Sequence, residues 1–261
     1  MCQGKVDGGR HRFVTSSSQG WWGVFTLLTE SAARNAKGGR RGTQPGATVP
    51  TMRDAPLRCR VRRAAPRSPA RVLFLVHGYS YHPEEMLAYG TLVDPDRRFI
   101  IVAPRGPIEL PNGAAAWSMP KNREPSQFPA AARLLDETLD RVCARYGVDR
   151  ADTVIGGFSQ GAILAFTLAV DPAQTRPGAI VNWCGGLPIG RGTPTDFDRL
   201  AGLPVLWQLA ARDEIVPADY SRAGAARAAE NGAAITVHEY DTTHAVSVEL
   251  LADTKRWLAA R

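Results

Sequence analysis

From Leu57 onward, short and almost wholly apolar runs alternate with longer segments in which apolar residues recur every three or four positions. The runs "RVLFLVHG" (71–78), "RFIIVAP" (98–104), "DTVIGGF" (152–158), "GAIVNWCGG" (178–186), "LPVLWQLA" (203–210) and "AITVHEYD" (234–241) predict strands, and "LRCRV" (57–61) predicts an early edge strand. Near-continuous apolarity is the mark of strands buried on both faces. Within 125–147, Ala132, Leu134, Leu135, Leu139, Val142 and Tyr146 fall at helical spacing. Further helices are predicted over 160–170, over 217–232 (closed by Gly232) and over 245–260. Strands separated by helices over about 200 residues imply the α/β class, with a mostly parallel sheet covered by helices on both faces. There are no internal repeats, and no insertion is long enough to form a large cap domain.

Residues 1–51 follow a different pattern. They are rich in Gly, Ser and Arg, and only "WWGVFTLL" (21–28) is apolar, too short to span a bilayer, which takes about 20 residues. No basic stretch leads into a long apolar core with a small-residue cleavage site, which argues against a secretory signal. The segment reads as a disordered tail, as an Arg-rich and acid-poor targeting peptide, or as sequence upstream of the true start, with Met52 as the first residue. The last is favoured because "MRDAPLRCRVRRAAPRSPARVLFLVHG" reads as a compact domain opening. The expected division is therefore a leader over 1–51 and one α/β domain over 52–261.

Charge follows the same division. The chain carries a net charge of +7, yet residues 1–71 hold 14 Lys/Arg against 3 Asp/Glu, and the remainder holds 18 against 22. The basic character belongs to the leader and the body is mildly acidic, which argues against a nucleic-acid-binding surface. Cys2, Cys59, Cys143 and Cys184 are scattered, with neither a C-x-x-C pair nor zinc-type spacing. They read as reduced thiols of a cytoplasmic protein.

Gly157-Phe158-Ser159-Gln160-Gly161 lies between a predicted strand and a predicted helix and matches G-x-S-x-G. That pattern builds a tight strand-to-helix turn which lifts the serine hydroxyl out of the sheet, with small residues letting the backbone pass. The helix start behind it favours negative charge developing in acyl transfer. A nucleophilic serine needs a base, and the base an orienting acid, in the chain order Ser, Asp/Glu, His. Two histidines follow Ser159. His238 lies inside a strand, where packing or surface exposure accounts for it, whereas His244 sits in the loop "DTTHAV" before the last helix. Asp213 is the first carboxylate after "LPVLWQLA", ahead of Glu214 and Asp219, and Asp241 is too near His244 in sequence to fit separate strands. The expected set is Ser159, Asp213 and His244, with no cofactor and no metal.

"VLFLVHG", "APRGP" (103–107) followed by "GAAAWSMP" (113–120), "GGFSQGA", "DEIVP" (213–217), and "TTH" before a helix ending in Trp257-Leu258 together resemble the α/β-hydrolase superfamily. Within it they resemble the phospholipase/carboxylesterase family, which includes acyl-protein thioesterases, and the resemblance covers about residues 57–261. Three segments depart from the family pattern: Tyr79-Ser80-Tyr81-His82-Pro83-Glu84-Glu85 after His77-Gly78, Thr243 before His244, and Leu209-Ala210 before the acid loop.

The resemblance implies a serine hydrolase acting on a small-molecule carboxylic ester. Thioester or lysophospholipid cleavage, or a non-hydrolytic scaffold, stand as alternatives. Backbone N–H groups of Tyr79 and Gln160 would form the oxyanion hole. His77 would brace the loop. Tyr81, Arg105, Trp117 and Trp183 are substrate-contact candidates, weighed against an ion-pair role for Arg105 and core packing for the two tryptophans. Tyr79 and Tyr81 would narrow the site toward short acyl chains. The reading leaves room for a homodimer and includes no membrane span and no nucleic-acid partner.

Overall fold

The computed structural model describes residues 51–52, 54–66, 71–119 and 127–261. All of them fall within one compact unit, Val49–Arg261. The leader expected over 1–51 lies, apart from Thr51, outside the described residues. Ten strands are described: β1 (Thr51–Met52), β2 (Cys59–Arg62), β3 (Val72–Val76), β4 (Ile100–Pro104), β5 (Ile108–Glu109), β6 (Ala115–Ala116), β7 (Thr153–Phe158), β8 (Ala179–Trp183), β9 (Pro204–Ala210) and β10 (Ala234–Tyr240). Five α-helices accompany them: α1 (Pro83–Val93), α2 (Gln127–Tyr146), α3 (Gln160–Val170), α4 (Ala218–Glu230) and α5 (Val248–Ala259).

Eight strands make one sheet in the order β1-β2-β4-β3-β7-β8-β9-β10, and β5 and β6 form a separate two-stranded ribbon. β1–β2 and β2–β4 pair antiparallel, while every other pair in the large sheet is parallel. Parallel neighbours need crossovers, and the helices supply them.

Alternate residues of each strand serve opposite cores. Phe74, Val76, Val102, Ile155, Ile180, Val205 and Trp207 face a cluster that includes Leu135, Leu139 and Val142 of α2, Leu164 and Leu168 of α3, and Ala228 of α4. Leu73, Leu75, Ile101, Val154, Val181 and Leu206 face a second cluster with Met86 and Val93 of α1 and Leu250 and Leu258 of α5. This is the double-sided burial that the continuous apolar runs imply. Met52 is itself buried in the first cluster. Among the described residues no helix is long and apolar enough to cross a membrane.

Helix α1 is absent from the sequence expectation. It carries helix-start signals, with Pro83 at its first turn and Glu84 and Glu85 behind it. Its inner face, however, is Met86, Gly90 and Val93, which gives little amphipathic contrast. A Cβ on Gly90 would come within 2.8 Å of side-chain atoms of both Ile101 and Leu75, so the helix seats on the sheet through a missing side chain rather than an apolar stripe.

Candidate active site

Parallel strands put their carboxyl ends on one edge of the sheet, and the loops leaving that edge hold the predicted site. β7 ends at Phe158 and α3 begins at Gln160, which leaves Ser159 as the whole connection. Its φ of 54° and ψ of −117° are unusual for a residue with a side chain. The turn closes only because its neighbours lack Cβ atoms. A Cβ on Gly157 would lie 2.4 Å from the Gly161 carbonyl carbon, and one on Gly161 would lie 2.2 Å from the Val76 carbonyl oxygen. The Ser159 N–H donates to the Trp183 carbonyl at 2.9 Å, tying the turn to β8.

Asp213 lies in the loop after β9. Its Oδ1 accepts from the N–H groups of Ile215 at 2.9 Å and Val216 at 2.8 Å. Its Oδ2 lies 2.6 Å from His244 Nδ1, and its side chain is almost fully buried. With both oxygens engaged, the carboxylate is fixed in orientation. The two loops are laced together, because Ala211 N–H donates to Tyr240 C=O at 2.8 Å and Arg212 N–H to Thr242 C=O at 3.0 Å. An Nδ1–H donated to Asp213 leaves His244 Nε2 with the free lone pair, the arrangement a general base requires. The His244 ring rests on the ring of Phe158, centroids 4.8 Å apart, so the histidine stands beside the residue that precedes Ser159.

Three of the rejected candidates are engaged elsewhere. Asp241 pairs with Arg212 at 3.0 Å, Asp219 pairs with Arg222 at 2.6 Å, and His238 Nδ1, on the edge strand, lies 3.6 Å from Asp253 of α5.

His77 braces the loop after β3. Its Nδ1 donates to the Gly78 carbonyl at 2.7 Å, and its Nε2 accepts from the Gly106 N–H at 2.9 Å. The second contact requires the neutral ring, since a protonated Nε2 cannot accept. Burial pushes the imidazole down to about 4, the nearby Arg105 and His82 charges act the same way, and the Gly78 hydrogen bond opposes them. Trp117 stacks on His77 with centroids 4.9 Å apart and donates its indole N–H to the His77 carbonyl at 2.8 Å. Tyr79, 36% exposed, stands at the rim just beyond this brace.

Gln160 is the first residue of α3, so its N–H has no acceptor within the helix. Among the described residues neither that N–H nor the Tyr79 N–H has an acceptor. The Gln160 side chain does further work. Its Oε1 accepts from Trp117 N–H at 3.0 Å and its Nε2 donates to the Ser118 carbonyl at 2.9 Å, locking that loop over the helix start. Sequence reasoning assigned only the Gln160 backbone. The long amide beside the serine was the available signal.

The four substrate-contact candidates divide. Tyr81 is partly buried, its ring lies tilted against that of Phe158 with centroids 5.1 Å apart, and burial pushes its hydroxyl well up. Arg105 donates to the Gly113 carbonyl at 2.9 Å and so pins the β5–β6 ribbon. Trp117 and Trp183 have no accessible surface. The Trp183 indole N–H donates to Thr254 Oγ1 at 3.0 Å, and the Trp117 indole is committed to His77. Of the two roles weighed for them, burial favours core packing. Large flat side chains near strand ends satisfy either role in sequence, and only burial separates them.

Phe158 is the residue that sequence reasoning passed over. Its ring contacts Tyr81 and His244, and a Cβ on Gly78 would come within 2.8 Å of it. It thereby joins the elbow, the loop after β3 and the histidine loop.

The geometry is that of the α/β-hydrolase fold, and solved structures agree. The Bacillus cereus carboxylesterase superposes with a TM-score of 0.69 at 21% identity, covering 79% of this chain and 95% of that one. A carboxylesterase from Mesorhizobium loti superposes at 0.68 and 19% identity, covering 81% and 99%. The Zea mays acyl-protein thioesterase 2 superposes at 0.58 and 20% identity, covering 77% and 97%. No curated protein sequence matches the chain. The model of the phospholipase/carboxylesterase family matches residues 60–261, and the chain belongs to that family of ester hydrolases.

Proposed function

We propose that the protein is a serine hydrolase that cleaves carboxylic esters of small or flexible acyl groups through an acyl-enzyme. The observation that carries this reading is the Asp213–His244 pair, 2.6 Å apart with its carboxylate buried, held beside the Ser159 elbow. In the reading, Ser159 Oγ attacks the ester carbonyl carbon as its proton passes to His244 Nε2. The C–O bond to the alcohol then breaks, and the imidazolium returns that proton to the departing alkoxide. Water, deprotonated by the same nitrogen, releases the acid and restores Ser159. Asp213 keeps the imidazole in the required tautomer and balances its transient charge.

The tetrahedral oxyanion is met by the N–H groups of Gln160 and Tyr79. Each such donor is worth about 2.7–4 kcal/mol of barrier. Among the described residues no large insertion lies over the carboxyl edge, and Tyr79 and its neighbours set the mouth, which suits short acyl groups. A cytoplasmic setting accords with Cys59, Cys143 and Cys184, which are free and buried.

Hydrolysis of p-nitrophenyl esters from acetate to long acyl chains, by the wild type and by Ser159→Ala, tests both parts. Activity confined to the wild type and greatest for acetate and butyrate is expected. A peak at long chains contradicts the size assignment, and parallel assays on thioesters and lysophospholipids fix the leaving group.

A further inference from the structure

The strand β2 carries arginines at alternate positions, Arg58 just before it and Arg60 and Arg62 within it, while Cys59 and Val61 between them are buried. Alternation places the three guanidinium groups on one face of the sheet edge. Helix α1 packs against that edge and neutralises two of them in register. Asp94 at its C-terminal end pairs with Arg62, and Glu84 in its first turn pairs with Arg60 at 2.6 Å. The next position in the series, Arg58, is exposed and lies beyond the start of the helix. Among the described residues no carboxylate pairs with it.

A fourth guanidinium faces it instead. The β2–β4 register pairs Cys59 with Pro104, and Arg105 N–H donates to Arg58 C=O at 2.8 Å, which sets Arg58 and Arg105 directly opposite each other. Opposed residues of neighbouring strands project to the same face, and like charges placed so cost stability. Among the described residues the carboxylate paired with Arg105 is Glu109, which reaches it only at 3.9 Å and is largely in solvent. Between these groups lies a cavity of about 690 Å³ lined by Arg58, Arg60, Pro83, Glu84, Arg105 and Glu109. Pro83 and Glu84 of the first turn of α1 contribute to its wall.

We propose that this cavity is a binding site for a small, multiply charged oxyanion, a phosphate ester or a polycarboxylate, held between Arg58 and Arg105. Such a ligand supplies the negative charge that completes the Arg62–Asp94, Arg60–Glu84 series. Guanidinium groups suit the task because their planar forks bind carboxylate and phosphate oxygens in pairs. The volume, about 690 Å³, is that of a small-molecule site. Its lining includes none of Ser159, Asp213 and His244, and β3 stands between β4 and β7 in the sheet. It goes beyond the hydrolase reading and does not depend on it.

Calorimetric titration of the full chain with inorganic phosphate and with citrate, at ionic strength matched by sodium chloride, tests the site. Saturable binding of at least one is expected, and the tighter of the two identifies the oxyanion class. Arg58→Ala, which removes an exposed side chain, should weaken binding about tenfold or more. Arg141→Ala, an equal charge change on α2, should leave it within about twofold, and Ser159→Ala should bind as the wild type does. No saturation below about 10 mM for either anion, or equal weakening by both arginine variants, would overturn the proposal. So would binding that survives Arg58→Ala or vanishes in Ser159→Ala.

Discussion

The ring of Phe158 lies 4.8 Å from that of His244 and 5.1 Å from that of Tyr81, centroid to centroid. One buried side chain from the elbow therefore supports both the proposed base and the loop that carries a proposed oxyanion donor. Phe158→Leu keeps an apolar residue but withdraws the flat surface. Loss of ring contacts and of buried volume should cost about 1–2 kcal/mol of stability. A slightly displaced His244 should lower kcat about tenfold or more while KM changes little. Steady-state kinetics beside a denaturant titration checks this. A stability loss with unchanged kcat would make Phe158 a packing residue only.

Asp213→Asn separates orientation from folding. An asparagine Oδ1 can still accept from Ile215 and Val216, so the loop should hold. The amide at the Oδ2 position donates rather than accepts and favours the wrong imidazole tautomer. A fall in kcat of about a thousandfold or more follows. Asp241→Asn is the comparison, because Asp241 is exposed and held by Arg212 rather than by His244. It should leave kcat within about twofold. The reverse ranking of the two variants would assign the acid to Asp241.

His77 makes stability fall in acid. The folded ring stays neutral down to about pH 4, whereas the unfolded ring takes up a proton below its ordinary value of 6.5. Between those values the unfolded state binds more protons, so this contribution is complete above pH 6.5 and is lost as pH falls toward 4. The whole loss amounts to about 3 kcal/mol. Urea titrations from pH 7.5 to 4.0 should show it, and His77→Gln should flatten the slope. Identical slopes in the two proteins would contradict the account.

Much of this arrangement was legible in the chain because it rests on local pattern. Continuous apolar runs such as 71–78 and 203–210 could satisfy both cores only as buried parallel strands, and β3 and β9 lie within them. Gly157 and Gly161 were readable because a strand-to-helix turn leaves no room for a Cβ at either place. Chain order singled out Asp213 and His244, which stand 31 positions apart and which the fold brings together.

What escaped the sequence depends on contacts made across the fold. Helix α1 hides its buried face behind Gly90. Trp117 and Trp183 could have lined a pocket or filled a core until their indole partners, His77 and Thr254, were known. The short β5–β6 ribbon has too few residues for a periodicity to register, and Arg105 holds it through carbonyls no pattern announces. The arginines at 58, 60 and 62 become a graded series only once α1 is laid beside them.

The central claim is that Ser159 is the nucleophile. It is tested most directly by incubating the wild type and Ser159→Ala with a fluorophosphonate and reading intact mass and the modified peptide. The account predicts one adduct, on Ser159, with loss of esterase activity in step with labelling, and neither labelling nor activity in a Ser159→Ala protein of native fold. Labelling at another residue, or hydrolysis that persists in Ser159→Ala, would contradict it.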